Sequence, residues 1–535
     1  MNRKTMVLTA AAAGLLTPAL AACGSATGGG AGSGAIVVGT TDRFEAADSA
    51  PAPFDPAYAY DAGAWNVLRQ TLQTLMRTPR GGGKPVPEAA SDCAFTDGTN
   101  QTYRCTLRPD LEFANGDPLT AKDVKFSIDR VLAIKDENGP ASLLSTIDRT
   151  EAKGEDTVVF HLKTPDATFP YKLATPATGI VNSKTYEAKK LREGFEVDGS
   201  GPYRMKAEVE GNRMVRAVFT RNENYKGELK PKTDRVELRS FDDAESLGDA
   251  LTGGSVHVVS RTLSPAQIKR FSATPPKGVR LVPLPGLEIR YLGFNTEAPA
   301  VKEKAVRQAL AAAVDRARII DKVYGHSAQP LYSLVPSSVP GHVNSFFNKY
   351  GQADTQAAAG LLRAANVKTP VKLTLNYTTD HYGDGTAAEF EALKQQLNAT
   401  KLFDITVQGT DWAQFRPAQK KGDYAAYGLG WFPDYADAEN FLGPFLDQDN
   451  FLGTPYANAT VRTKLLPESR RAADRTMASG PLGDIQDIVA DDVPVLPLWQ
   501  GKQYVAARDG ITGVEWSVNS ISDLQLWELG RGVSG

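Results

Sequence analysis

The chain has 535 residues, 41% hydrophobic and 23% charged, and its 60 basic and 62 acidic side chains give a formal charge of −2. At about 150 residues per domain this is three or four compact units, and the average composition excludes a mostly disordered chain, a collagen-like repeat and a polytopic membrane protein. With no net basic charge there is no global electrostatic footprint for nucleic acid.

The N-terminus reads as an export segment. Arg3 and Lys4 precede an uncharged, Ala- and Leu-rich stretch from Met6 to Ala22, broken by Pro18. That stretch is short for a transmembrane helix, which needs about 20 apolar residues, and it fits a signal peptide over residues 1–22. The run Leu20-Ala-Ala-Cys23-Gly24 resembles a bacterial lipobox. The resemblance implies cleavage by a signal peptidase before Cys23 and a diacylglycerol on its thiol, a lipoprotein anchor with palmitate among its acyl chains. Acyl chains contribute about 0.8 kcal/mol per buried CH₂, so several can hold a soluble body at a bilayer. An ordinary cleaved signal with an incidental cysteine is the alternative. Residues 23–35, nearly all Gly, Ser and Ala after Cys23, read as a flexible tether.

Beyond the tether, Ile36-Val-Val-Gly-Thr starts as a buried strand, and Ala64 to Met76 carries a helical stripe of Val67, Leu68, Leu72, Leu75 and Met76. Cys93 and Cys105 flank Asp97-Gly98, a hairpin signal. Two strands would bring these cysteines face to face as a structural disulfide, which outside the cytoplasm is expected to form. Thr120 is a plausible N-cap, with Asp123 three residues on as an acidic variant of the capping box. Residues Thr157 to Lys163 alternate like a strand. Val301 to Val323 reads as helix, Val371 to Tyr377 as strand, Thr386 to Leu397 as helix and Phe403 to Val407 as strand. The rhythm argues for α/β layers.

Catalytic constellations are thin. There is no His-Glu-x-x-His, Gly-x-Ser-x-Gly or Walker-type Gly-Lys-Ser/Thr. The five histidines, His161, His257, His326, His342 and His381, show no ligand spacing, so no metal and no cofactor are expected. Asp242-Asp243 and Asp491-Asp492 are sequence neighbours whose side chains diverge. An enzyme is therefore not expected. An exported hydrolase with a dispersed carboxylate pair stays the competing class.

The segment Leu107-Arg-Pro-Asp-Leu-Glu-Phe-Ala-Asn-Gly-Asp-Pro-Leu-Thr-Ala-Lys-Asp-Val-Lys-Phe-Ser-Ile-Asp-Arg130 closely resembles the signature of the family 5 solute-binding proteins, the dipeptide and oligopeptide receptors of ABC importers. Gly199-Ser-Gly-Pro-Tyr203, Arg221-Asn-Glu-Asn-Tyr225, Tyr291-Leu-Gly-Phe-Asn-Thr296, Val306-Arg-Gln-Ala-Leu310, Val314-Asp-Arg316 and Asp492-Val-Pro-Val-Leu-Pro-Leu498 follow in the family's order. The similarity spans Ile36 to the C-terminus. It implies an α/β, two-lobed periplasmic-binding-protein-like fold of type II, in the large three-domain variant, with a hinge between the lobes. Carried over, domain I is 36–78, 180–285 and 495–535, domain II is 79–179, and domain III is 286–494.

The resemblance also implies a ligand site. Gly430-Trp-Phe-Pro-Asp-Tyr-Ala-Asp-Ala-Glu-Asn-Phe-Leu442 resembles the family's Gly-Trp-x-x-Asp-Tyr-x-x-Pro. In the peptide binders the aspartate meets the ligand's α-ammonium, and here that position is Asp434. Trp431 would line a side-chain pocket, Trp412 would supply a second pocket tryptophan, and Tyr435 joins the ligand set. Taken alone, either tryptophan would be core packing. Ala438 departs from the family's proline. The expected function is an extracytoplasmic, lipid-anchored receptor at the cell membrane. It is expected to be monomeric, to take a peptide ligand, and to have an ABC permease and its ATPase subunits as partners. Relatives that bind metal chelates, haem, glutathione or oligosaccharides keep a non-peptide solute open, and a lipoprotein that senses peptides or chaperones exported proteins would look the same.

Overall fold

The computed structural model describes residues 34–532 apart from Ser49, Arg261, Asp384, Asp449 and Phe451. The export segment, Cys23 and the tether up to residue 33 lie outside the described residues.

A seven-stranded sheet runs in the order Val279–Leu284, Gln503–Arg508, Val258–Ser260, Ile36–Thr40, Arg235–Ser240, Arg213–Arg221, Tyr203–Glu210. Ile36–Thr40, expected as a buried strand, is buried along its whole length and pairs in parallel with both neighbours. An unbroken apolar run suits such a central position, covered on both faces. A six-stranded sheet runs Ala328–Pro330, Val495–Gly501, Ile289–Phe294, Ala426–Trp431, Val371–Thr378, Phe403–Thr410. Each sheet has its own hydrophobic core. The chain passes from the first sheet to the second at 285–288 and returns at Lys502. The two crossings lie side by side: Gly501 N–H donates to Glu288 O at 2.9 Å, and the Gln503 and Gln500 side-chain amides donate to Pro285 O and Gly286 O at 2.8 Å each.

A four-stranded antiparallel sheet, Ala90–Phe95, Thr102–Leu107, Thr157–Leu162, Ile147–Lys153, has a third core. Cys93 and Cys105 are directly opposed across its first hairpin and form a disulfide. In the chain-entropy picture, closing so short a loop contributes up to about 3 kcal/mol. Changing both cysteines to alanine is expected to lower the unfolding free energy by about 2–3 kcal/mol. Denaturant unfolding of the oxidised proteins measures this, and coincident curves would deny the bridge a structural role.

The helix Ala121–Ile134 packs on this sheet, and its start carries the expected capping box between Thr120 and Asp123. Its Arg130 forms an ion pair with Asp55, with guanidinium and carboxylate joined twice at 2.6 Å and both side chains almost fully buried. Arg130 also donates to Glu187 O and Lys190 O. Asp55 accepts from the Ala57 and Arg192 N–H groups.

Two helices end differently from expectation. The helix expected over Ala64–Met76 runs Ala62–Thr71, N-capped by Asp61, and Leu72 is extended. Gly199 and Gly201 abut its last turn: a Cβ at Gly199 would lie 2.1 Å from Thr71 O, and the Gly201 N–H donates to that oxygen at 2.9 Å. The end is set by a segment distant in sequence, which explains both glycines of Gly199-Ser-Gly-Pro-Tyr203. The stretch 301–323 is two helices, Lys304–Ala313 and Arg316–Val323, because Asp315 caps the second by accepting from Arg318 N–H at 3.0 Å.

Candidate functional site

The strand Ala426–Trp431 ends at the turn that carries Asp434. Gly430 has a local reason to be glycine: a Cβ there would lie 2.1 Å from Arg290 Nη1 on the neighbouring strand. After the turn, Asp437 caps a short 3₁₀ helix, Ala438–Phe441, by accepting from Glu439 N–H. Ala438, at the departure from the family's proline, is buried there.

Asp434 is only 6% exposed. Its N–H donates to Asn440 Oδ1 and its Oδ2 accepts from Asn440 Nδ2, each at 2.9 Å. The Tyr60 hydroxyl also bonds the carboxylate. Tyr60 packs against the core of the seven-stranded sheet, whereas Trp431 belongs to the core of the six-stranded sheet. The carboxylate therefore sits where the two lobes meet. Burial pushes its pKa up to about 6, against the lowering effects of Asn440, Tyr60 and the Lys172 charge. A desolvated carboxylate in this condition gains from a cation more than a solvated one does.

Trp431 is buried, edge-on to Phe445 with ring centroids 5.6 Å apart, and its indole N–H points to Asn440 Oδ1 at 3.4 Å. Asn440 thus ties Trp431 to Asp434. Trp412 opens the helix Trp412–Lys421 and is half-buried. Its ring stacks on His381 at 3.8 Å with 4° between planes and meets Tyr382 edge-on. Tyr382 donates to Gly430 O at 3.4 Å and lies 4.2 Å from the Arg290 guanidinium, so the link from Trp412 to the Trp431 strand runs through Tyr382. Tyr435 is buried between units: its hydroxyl bonds Glu439 Oε2 at 3.1 Å and Thr168 Oγ1 at 3.4 Å, and its ring lies 5.7 Å from Tyr171.

Tyr60, Asn440, Tyr382 and Arg290 were not expected from the sequence. Asn440 lies inside the Gly430–Leu442 motif, but nothing in its residue type marks a bridge between Trp431 and Asp434. Among the described residues no group of three or more His, Cys, Asp or Glu side chains could hold a metal ion, and no helix is long and apolar enough to cross a membrane.

Two sheet-centred lobes, joined by paired crossings and meeting over a buried carboxylate, define a two-lobed solute-binding protein. The sequence family described as "Bacterial extracellular solute-binding proteins, family 5 Middle" matches residues 84–453, and the chain belongs to that family. It is 26% identical over 478 residues to the probable D,D-dipeptide-binding periplasmic protein DdpA of Escherichia coli, covering 86% of this chain and 89% of that one. It is 24% identical over 516 residues to the oligopeptide-binding protein OppA of Bacillus subtilis, covering 91% and 92%. In fold it resembles the dipeptide-binding protein of Pseudoalteromonas sp. SM9913 crystallised with Met-Leu, with a TM-score of 0.78, 19% identity and coverage of 93% of this chain and all of that one.

Proposed function

We propose that this chain captures peptides outside the cytoplasm and delivers them to an ABC importer. Asp434 carries the reading: a buried carboxylate, shared between the lobes, is the partner a peptide α-ammonium needs once water is excluded. Trp431 and Trp412 would bound the space for side chains, with Tyr435 behind Asp434. Aromatic walls bury much area without demanding one side chain. The relatives named for dipeptides and oligopeptides support the ligand class. The lobes close by a hinge motion at the paired crossings, and closure strengthens the Asp434–ammonium contact by removing water. The same reading includes a lipid on Cys23, the three domains given from sequence with Val495–Gly501, a strand of the six-stranded sheet, moved from domain I to domain III, a monomeric receptor, and a permease with its ATPase as partners. No bond is made or broken.

Mass spectrometry of solute co-purified with the protein tests the ligand class. Peptides are the expected result, and a non-peptide solute held in stoichiometric amount would refute it. The raised pKa gives a second test. An ammonium pairs with the ionised carboxylate, so protonating Asp434 competes with ligand. Peptide affinity is expected to fall about tenfold between about pH 7 and about pH 5, with proton release on binding at the lower pH. Calorimetry in buffers of different ionisation enthalpy reads both effects, and a flat profile would remove Asp434 from the contact.

A further inference from the structure

Beside the Tyr435–Thr168 contact, the four-stranded domain also touches the end of a helix of the six-stranded-sheet lobe. The helix Leu466–Arg471 packs with the core of the six-stranded sheet. Its last carbonyls lack partners within the helix, as at any helix end. Two of them are met from the other side. The Ala167 N–H donates to Arg470 O at 2.8 Å, and Asn100 Nδ2 donates to Arg471 O at 2.9 Å. Asn100 sits in the turn of the disulfide-bridged hairpin, 4% exposed. Its φ of 57° is a left-handed conformation that asparagine tolerates better than most residues. Its carbonyl accepts from the Asp166 N–H at 3.2 Å, which joins the turn to the segment that presents Ala167. Asp166 fixes that segment in turn, accepting from Thr146, Thr168 and Lys172.

On the far side the contact is wired to the ligand turn. Arg470 binds Glu439 Oε1 through Nε at 3.1 Å and Nη2 at 2.7 Å. Arg475 binds both oxygens of Asp437 at 2.8 Å. Asp437 and Glu439 follow Asp434 in the turn and short helix that end with Asn440 and Phe441. The carbonyls capped by Asn100 and Ala167 are therefore linked through Arg470 and Arg475 to the turn that carries the carboxylate.

We propose that Asn100 and Ala167 form a latch: a helix cap delivered across the cleft, made when the lobes shut and lost when they part. Asn100 is then a positioning residue for the closed state, and the hairpin with its disulfide is the arm that carries it. This goes beyond the proposed function and needs only that the lobes open and close, whatever the solute.

Asn100→Gly tests the latch, because glycine keeps the left-handed backbone while removing the donor. Amide hydrogen exchange is read over residues 163–170 with the solute that co-purifies with the protein bound, the condition that shuts the lobes, against the strands Thr102–Leu107 and Thr157–Leu162 as internal controls. Exchange at 163–170 is expected to quicken about three- to tenfold, the range for losing one hydrogen bond, with the control strands unchanged. Cys93→Ala with Cys105→Ala, which frees the base of the arm, is expected to act in the same direction at 163–170, read against Thr157–Leu162 alone because Cys105 lies in the other control strand. Equal exchange in wild type and Asn100→Gly would overturn the latch, and so would equal acceleration of the control strands. Either result counts against the latch whether or not any peptide binds. A protein that binds no peptide yet shows the selective change would refute the peptide reading and keep the latch.

Discussion

Asp434→Asn is expected to stabilise the ligand-free protein and to cost it most of its affinity for peptides. The carboxylate is buried and its pKa stands at about 6 instead of 3.8. Between those values the folded protein holds a proton that the unfolded chain has released, so stability falls as pH rises through the window and stays lower above it. Asparagine fits the same space, has no charge to desolvate, and removes that dependence. The expected gain is about 2–3 kcal/mol in unfolding free energy near neutral pH, with little change below about pH 4. The cost in binding is the loss of the ammonium's partner, about 2–5 kcal/mol. Denaturant unfolding at neutral and acid pH measures the first effect, and calorimetry with short peptides the second. An asparagine variant that is less stable at neutral pH, yet binds as wild type, would mean that Asp434 serves the fold and not the ligand.

Asp55→Ala is expected to have the opposite character: a large loss of stability from a residue with no part in the ligand contact. Its carboxylate is the bidentate partner of Arg130 and also accepts from two backbone N–H groups. The mutation leaves a guanidinium that is almost wholly buried without its counter-charge. Breaking one side of such a pair costs about 3–5 kcal/mol, whereas replacing both partners by apolar residues costs much less. Asp55→Leu combined with Arg130→Met is therefore expected to be more stable than Asp55→Ala alone. Chemical denaturation of the variants supplies the comparison. A single-mutant loss under about 1 kcal/mol would show that water reaches the guanidinium and substitutes for the carboxylate.

The pair also shows what the sequence could and could not reveal. Arg130 closes the long signature segment, but its partner lies 75 positions earlier, and no local pattern links them. Local rules worked where the cause was local: the buried strand Ile36–Thr40, the capping box at Thr120 and Asp123, and the cysteines opposed across their hairpin. They failed where a distant segment decided the outcome. Gly199 and Gly201 cut short the helix after Asp61. Asp315 belongs to the Val314-Asp-Arg316 motif, yet its capping role breaks a stretch that periodicity makes continuous. The motif singled out Asp434 as a candidate, but no local pattern pointed to Tyr60, which bonds its carboxylate from the other lobe. Tyr435, expected among the ligand residues, also bonds Glu439 and meets Thr168 and Tyr171, contacts to the four-stranded domain that no local pattern announces.

The strand Gln503–Arg508 lies inside the seven-stranded sheet, between Val279–Leu284 and Val258–Ser260. During synthesis that slot stays vacant until residue 508 has left the ribosome, although most of the remaining strands of the sheet were made hundreds of residues earlier. Pairings of such high sequence separation form slowly, and the incomplete sheet exposes two unsatisfied edges meanwhile. Completion of the seven-stranded sheet is therefore expected to wait for nearly the whole chain, whichever of its other strands pair first.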